Sequence, residues 1–145
     1  MNLDVDPAYA DIQQKYSMSS RGARRIYFNR ESVDAINNWL KTREGDYNDL
    51  VFGIKSSSFS KIWNQALEKA GLDERDETSK LRHHVYHLHT IRKFFFTQMK
   101  ISGMPAMFVH PLMGLTVDME QDRPTEERVR EEYIKHRDAV TIYED

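Results

Sequence analysis

Apolar residues recur along this chain at two spacings, and the change from one to the other predicts its elements. Ala10 to Tyr16 alternates weakly, and Arg24 to Phe28 reads RRIYF, a run rich in strand formers. Ser17, Met18, Ser19, Ser20 and Gly22 between them are turn material, so an antiparallel hairpin is expected. From Asn29 onward the spacing becomes helical. Asn29 suits an N-cap, and Val33, Ile36, Trp39 and Leu40 are expected to make the buried face of a helix through about Thr42. A polar loop, Asp46 to Asp49, leads to a short apolar piece, Leu50 to Ile54, and a serine cluster. A second helix is expected from Ser57 to Ala70, with Phe59, Ile62, Trp63, Ala66, Leu67 and Ala70 on its buried face and Gly71 as its stop. Trp39 and Trp63 each lie on an apolar stripe, which makes them packing residues rather than base-stacking platforms.

The third helical segment begins at Thr90, a candidate cap, and carries Ile91, Phe94, Phe95 and Met99 at helical spacing until Gly103 closes it. Pro105 fits a first helical position, and Met107, Phe108, Leu112 and Met113 are expected to pack until Pro111 and Gly114 interrupt the turn. Pro124 opens a last helix through about Asp138, whose charged Thr125 to Arg130 run belongs in water. The expected fold class is mainly α with a small antiparallel β-hairpin (α+β), as one domain over residues 1–145.

Composition narrows the class. At 145 residues with 39% hydrophobic and 30% charged, the chain can bury a real core. The absence of cysteine excludes disulfide frameworks, thiol nucleophiles and cysteine-based zinc sites. No apolar run approaches the roughly 20 residues a membrane span needs, and MNLDVDPAYA lacks the basic-then-apolar signal-peptide pattern, so no membrane partner and a cytoplasmic location are expected. A net charge of −2 does not advertise nucleic-acid binding, but the charges are segregated. Ile12 to Arg30 holds no acid and includes Lys15, Arg21, Arg24, Arg25 and Arg30; Lys80 to Val117 holds none and includes Lys80, Arg82, Arg92, Lys93 and Lys100. The acids gather at Asp73 to Glu77 and Asp118 to Glu132. Two acid-free windows suit a surface that follows a phosphate backbone, and Arg21, Arg24, Arg25 and Lys93 are the expected DNA contacts.

Two clusters carry candidate chemistry. His83, His84, His87 and His89 lie in the string RHHVYHLH. Alternation pairs His87 with His89 and a helix pairs His83 with His87, so no single conformation presents all four, and no metal is expected. The second cluster is His89 with Arg92, three residues apart at a helix mouth and off its apolar stripe. A histidine that can pass a proton beside a permanently charged guanidinium suits a phosphate in transfer.

His89-Thr90-Ile91-Arg92, followed by Leu112-Met113-Gly114-Leu115 and the tail RPTEERVREEYIKH, resembles the second signature box of the tyrosine recombinases, the phage integrase family, and looks most like the archaeal-type integrases. The likeness runs from about Leu3 to the C-terminus. It implies a recombinase catalytic-domain fold and site-specific DNA cleavage and rejoining. In that reaction a tyrosine attacks a DNA phosphate, giving a 3′-phosphotyrosyl link that another strand's 5′-hydroxyl resolves. It implies double-stranded DNA as partner, assembly of copies on DNA, and no metal or nucleotide cofactor. Arg92 then matches a phosphate clamp and His89 an acid/base partner.

The chain also departs from that pattern. The family's first-box arginine lies upstream of the hairpin, so the chain is expected to be a truncated catalytic domain lacking that segment. Met18 stands where the resemblance implies a general-acid lysine, with Lys15 the nearby substitute. Leu115 replaces the histidine of Leu-x-Gly-His. The nucleophilic tyrosine is expected where Met119, Glu120, Gln121 and Asp122 stand, leaving Tyr133 and Tyr143 as replacements. An integrase-like protein inactive by itself is expected; an inactive DNA-binding or regulatory module and an unrelated helical interaction domain are the alternatives.

Overall fold

Cross-strand pairing organises the start of the chain. The computed structural model describes residues 1–13, 23–44, 51–53, 55–75, 84–115 and 123–143. Strand β1 (Ala8–Ile12) runs antiparallel to β2 (Arg24–Phe28), with Ala8 opposite Phe28 and Asp11 opposite Arg25. β1 begins two residues before the expected Ala10. Its Tyr9 exchanges backbone hydrogen bonds with Asn2 at 2.8 and 2.9 Å, which extends strand geometry toward the N-terminus. Gln14 to Tyr16, expected in this strand, lie outside the described residues, as do the turn residues Ser17 to Gly22.

Among the described residues five helices follow: α1 (Arg30–Thr42), α2 (Ser56–Lys69), α3 (Leu88–Ile101), α4 (Ala106–Met113) and α5 (Glu126–His136), with a 3-10 turn at Arg137–Val140. The fold is therefore mainly α with one two-stranded antiparallel sheet. Asn29 caps α1 as expected, its Oδ1 accepting from the Ser32 N–H at 3.0 Å and the Ser32 hydroxyl at 2.6 Å. The described chain forms two compact units, one of Met1–Thr42 with Phe95–Asp145, the other of Arg43–Phe94.

The first unit holds a continuous core. Met99, Met104, Phe108, Val109, Leu112, Val129 and Tyr133 are buried together, with Tyr27, Phe95, Phe96, Met107, Met113 and Val140 half-buried around them. α3 ends as expected: Gly103 takes φ 94°, and the Met104 N–H reaches back to the Met99 carbonyl at 3.0 Å. α4 differs at both prolines. Pro105 is extended and precedes the helix, while Pro111 sits inside it and is buried. At the sixth of eight helical positions Pro111 forgoes one hydrogen bond, and Gly114 then closes the helix at φ 72°. Pro124 is likewise outside the last helix. Thr125 is the true cap, accepting from the Arg128 N–H at 3.4 Å.

The Arg43–Phe94 unit is sparser. On α2 Leu67 is buried and Trp63 half-buried, its Nε1 donating to the Tyr86 carbonyl at 3.1 Å. Phe59 (46% exposed), Ile62 (51%), Ala66 and Ala70, expected to be buried, face water. Ile91 and Phe94 at the start of α3 are exposed as well. A helical stripe becomes a core only where another element covers it, and burial along α3 is complete only at Met99, where α4 and α5 supply the cover.

Candidate nucleic-acid interface

The first two turns of α3 place His89, Arg92 and Lys93. Thr90 does not cap this helix as expected: α3 starts at Leu88, and Thr90 is its third residue. The His87 N–H donates to the Thr90 hydroxyl at 3.1 Å, and the Thr90 N–H donates to the His87 carbonyl at 2.7 Å. This reciprocal pair supplies the helix mouth with the partner its first N–H groups lack. His89 and Lys93, four apart, are exposed, and Arg92 is half-buried. Across the described stretch 84–115 there is no Asp or Glu, so the positive charge of this helix is not diluted by acids on its own segment.

The histidines do not gather. His87 and His89 rings lie 6.3 Å apart, and among the described residues no group of three metal-ligating side chains could hold an ion. His83 falls outside the described residues. His84 is buried, and neither of its ring nitrogens has a hydrogen-bond partner among the described residues. A polar ring in that position is costly for the Arg43–Phe94 unit, in keeping with its sparse packing.

The hairpin holds a second group of expected contacts. Arg24 is half-buried. Arg25 is the centre of an ion-pair cluster: its Nε and Nη2 donate to the two Asp11 oxygens at 2.7 and 3.1 Å, and its Nη1 lies 2.5 Å from Glu126 Oε1. Its guanidinium also covers the Tyr9 ring, 3.8 Å from the centroid. The hydrogen bond from Arg25 holds the Asp11 carboxyl below the usual carboxylate range, despite some opposing desolvation. Lys15, Met18 and Arg21 lie outside the described residues, and so does Asp122.

The two remaining tyrosines have opposite surroundings. Tyr133 is 2% exposed in the core, stacked on Tyr27 with centroids 5.3 Å apart, and burial pushes its phenol well above the ordinary tyrosine range. Such a ring holds its proton and cannot meet a large substrate without unpacking the core. Tyr143 is 77% exposed, with its backbone N–H on Glu31 Oε1 at 2.5 Å. Leu115, just past the left-handed Gly114, is exposed and apolar.

Sequence reasoning missed the double engagement of Arg25. Asp11 was within reach of it, because a hairpin register that puts Ala8 opposite Phe28 also puts Asp11 opposite Arg25. Glu126 was not, since it approaches from α5, about a hundred residues away along the chain.

Residues 1–118 match the phage integrase family, and the chain belongs to that family. The match takes in the hairpin, α1 to α4, His89, Arg92 and Leu112 to Leu115, and stops before α5. It is to the family at large, with no archaeal-type subdivision. No curated protein and no solved structure matches the chain. Membership supports a site-specific recombinase or integrase-like function, in a family that acts on DNA. No helix among the described residues is long and apolar enough to cross a membrane.

Proposed function

We propose that this chain is an integrase-family module that binds duplex DNA through the phosphate backbone and does not by itself complete strand cleavage. The observation that carries the DNA reading is the start of α3, where exposed His89 and Lys93 and half-buried Arg92 share an acid-free segment. Arg92 serves as the phosphate clamp and His89 as its proton-passing neighbour, with Arg24 and Lys93 adding backbone contacts. Such contacts position a duplex and give little sequence preference. A cytoplasmic location and assembly of several copies on DNA go with this role.

The lack of cleavage rests on three replacements. Leu115 cannot donate a hydrogen bond to a phosphate oxygen, and losing one preorganised donor typically lowers turnover by about a hundredfold or more. Met18, in the position of the family's lysine, has no proton for the departing 5′-oxygen, and Asp122 is not a tyrosine. Tyr133 is a poor substitute because it is a core residue. The test is a nicked suicide DNA duplex incubated with the protein and run under denaturing conditions. No covalent adduct is expected; an adduct lost on Tyr133→Phe or Tyr143→Phe would overturn the inactive reading and identify the nucleophile.

A further inference from the structure

We propose that Arg25 is a DNA-phosphate site which the protein masks with its own carboxylate: Glu126 occupies the place of a phosphate oxygen and yields it when duplex DNA binds. The inference rests on the DNA-binding reading above and adds to it a residue that opposes binding. A guanidinium offers a planar fork of five donors that fits carboxylate and phosphate alike. On Arg25 the Nε/Nη2 edge is filled by both Asp11 oxygens, at 2.7 and 3.1 Å, and one face is covered by Tyr9 at 3.8 Å. These contacts come from the hairpin itself, with Asp11 fixed opposite Arg25 by strand register. They orient the group and leave Nη1 as the remaining edge, where Glu126 Oε1 sits at 2.5 Å.

The two carboxylates therefore have different work. Asp11 is a positioning residue. Glu126 belongs to another element, the first residue of α5, and its side chain is 59% exposed. An exposed ion pair of this kind contributes little net stability, whereas a phosphate that replaces it also releases condensed counterions. With both carboxylates in place Arg25 offers no net positive charge to an approaching duplex until Glu126 swings away. Arg25 in this arrangement contributes to DNA binding only as far as Glu126 can be displaced.

The experiment measures retention of the whole chain on a random-sequence duplex across a salt series. Glu126→Gln is expected to tighten binding about threefold to tenfold at low salt and to steepen the log–log salt slope by about 0.9, one phosphate's worth. Glu127→Gln makes the same change in net charge one position along α5, away from Arg25, and should bind like the parent chain. Adding Arg25→Ala to Glu126→Gln should abolish the gain, and thermal unfolding checks that each variant stays folded. Unchanged binding by Glu126→Gln, or a gain that persists without Arg25 or is matched by Glu127→Gln, overturns the mask while the DNA reading stands, provided Lys93→Ala still weakens binding. If the parent chain and Glu126→Gln both fail to bind at low salt, the DNA reading falls and the mask with it.

Discussion

Helices α2 and α4 both offer apolar residues for burial and meet opposite fates. α4 buries Phe108, Val109 and Leu112 together with Met99, Val129 and Tyr133, whereas α2 leaves Phe59 and Ile62 half in water and, among its described side chains, buries only Leu67. Helix propensity does not explain the difference, because α2 is longer and free of proline while α4 has Pro111 inside it; composition explains part of it, since AMFVHPLM is apolar on nearly every side and SSSFSKIWNQALEK only along one stripe. Cover supplies the rest. α4 lies against α5 and β2, each bringing apolar groups of its own. Periodicity states which face of a helix can be buried, and the presence of a second surface decides whether it is.

The contrast can be broken most forcefully in the core. Phe108→Ala should cost about 3–5 kcal/mol by leaving a cavity, measured by urea unfolding, and Ile62→Ser should cost under about 0.5 kcal/mol because its side chain is already wetted. Equal losses would mean that α2 is packed as tightly as α4. Amide exchange in the native protein should sharpen the same point, with α4 and the C-terminal turns of α3 protected well beyond α2. Similar protection in both helices would contradict the sparse packing of the Arg43–Phe94 unit.

Smaller effects probe the helix mouth and the titrating groups. Thr90→Val removes the hydroxyl that the His87 N–H uses, and should cost about 1 kcal/mol. On the alkaline side, the folded-state pKa of Tyr133 is raised, chiefly by burial. The folded state thus favours the neutral phenol, so stability is full below the ordinary tyrosine value of about 10 and falls as pH rises above it. Tyr133→Phe should flatten that fall in a pH series of thermal unfolding. On the acid side Asp11 is lowered by its hydrogen bond from Arg25, so its contribution is present above the ordinary aspartate value of about 4 and lost as pH falls below it. Because Asp11 is exposed, Asp11→Asn should reduce the acid sensitivity only slightly.

The placement of the candidate residues was legible where they are neighbours along one element. His89, Arg92 and Lys93 are spaced by a helical turn, so any helix through them sets them near one another, although that helix starts at Leu88, two residues before the expected cap Thr90. The Arg25 cluster was half legible: β-pairing brings Asp11 to it, but the approach of Glu126 depends on how α5 returns to the hairpin. Tyr133 was least legible. On a strongly charged segment, EERVREEYIKH, its burial follows from a narrow contact of Val129 and Tyr133 with α4 and Tyr27 rather than from a broad apolar stripe.

Local chemistry along the chain determined the strand from Arg24 to Phe28, the Asn29 cap, the stops at Gly71, Gly103 and Gly114, and the helical spacing of His89 and Arg92. Each depends on groups within one strand, turn or helix end, where backbone geometry leaves few choices. Tertiary structure alone decided that Val109 is fully buried while Phe94 is wet, that Tyr133 is a core ring, and that Arg25 is shared between two carboxylates. These outcomes depend on which surfaces meet across long stretches of chain. A side chain's hydrophobicity or charge sets what it gains from a neighbour, and only the packing of α4, α5 and the hairpin determines which neighbour arrives.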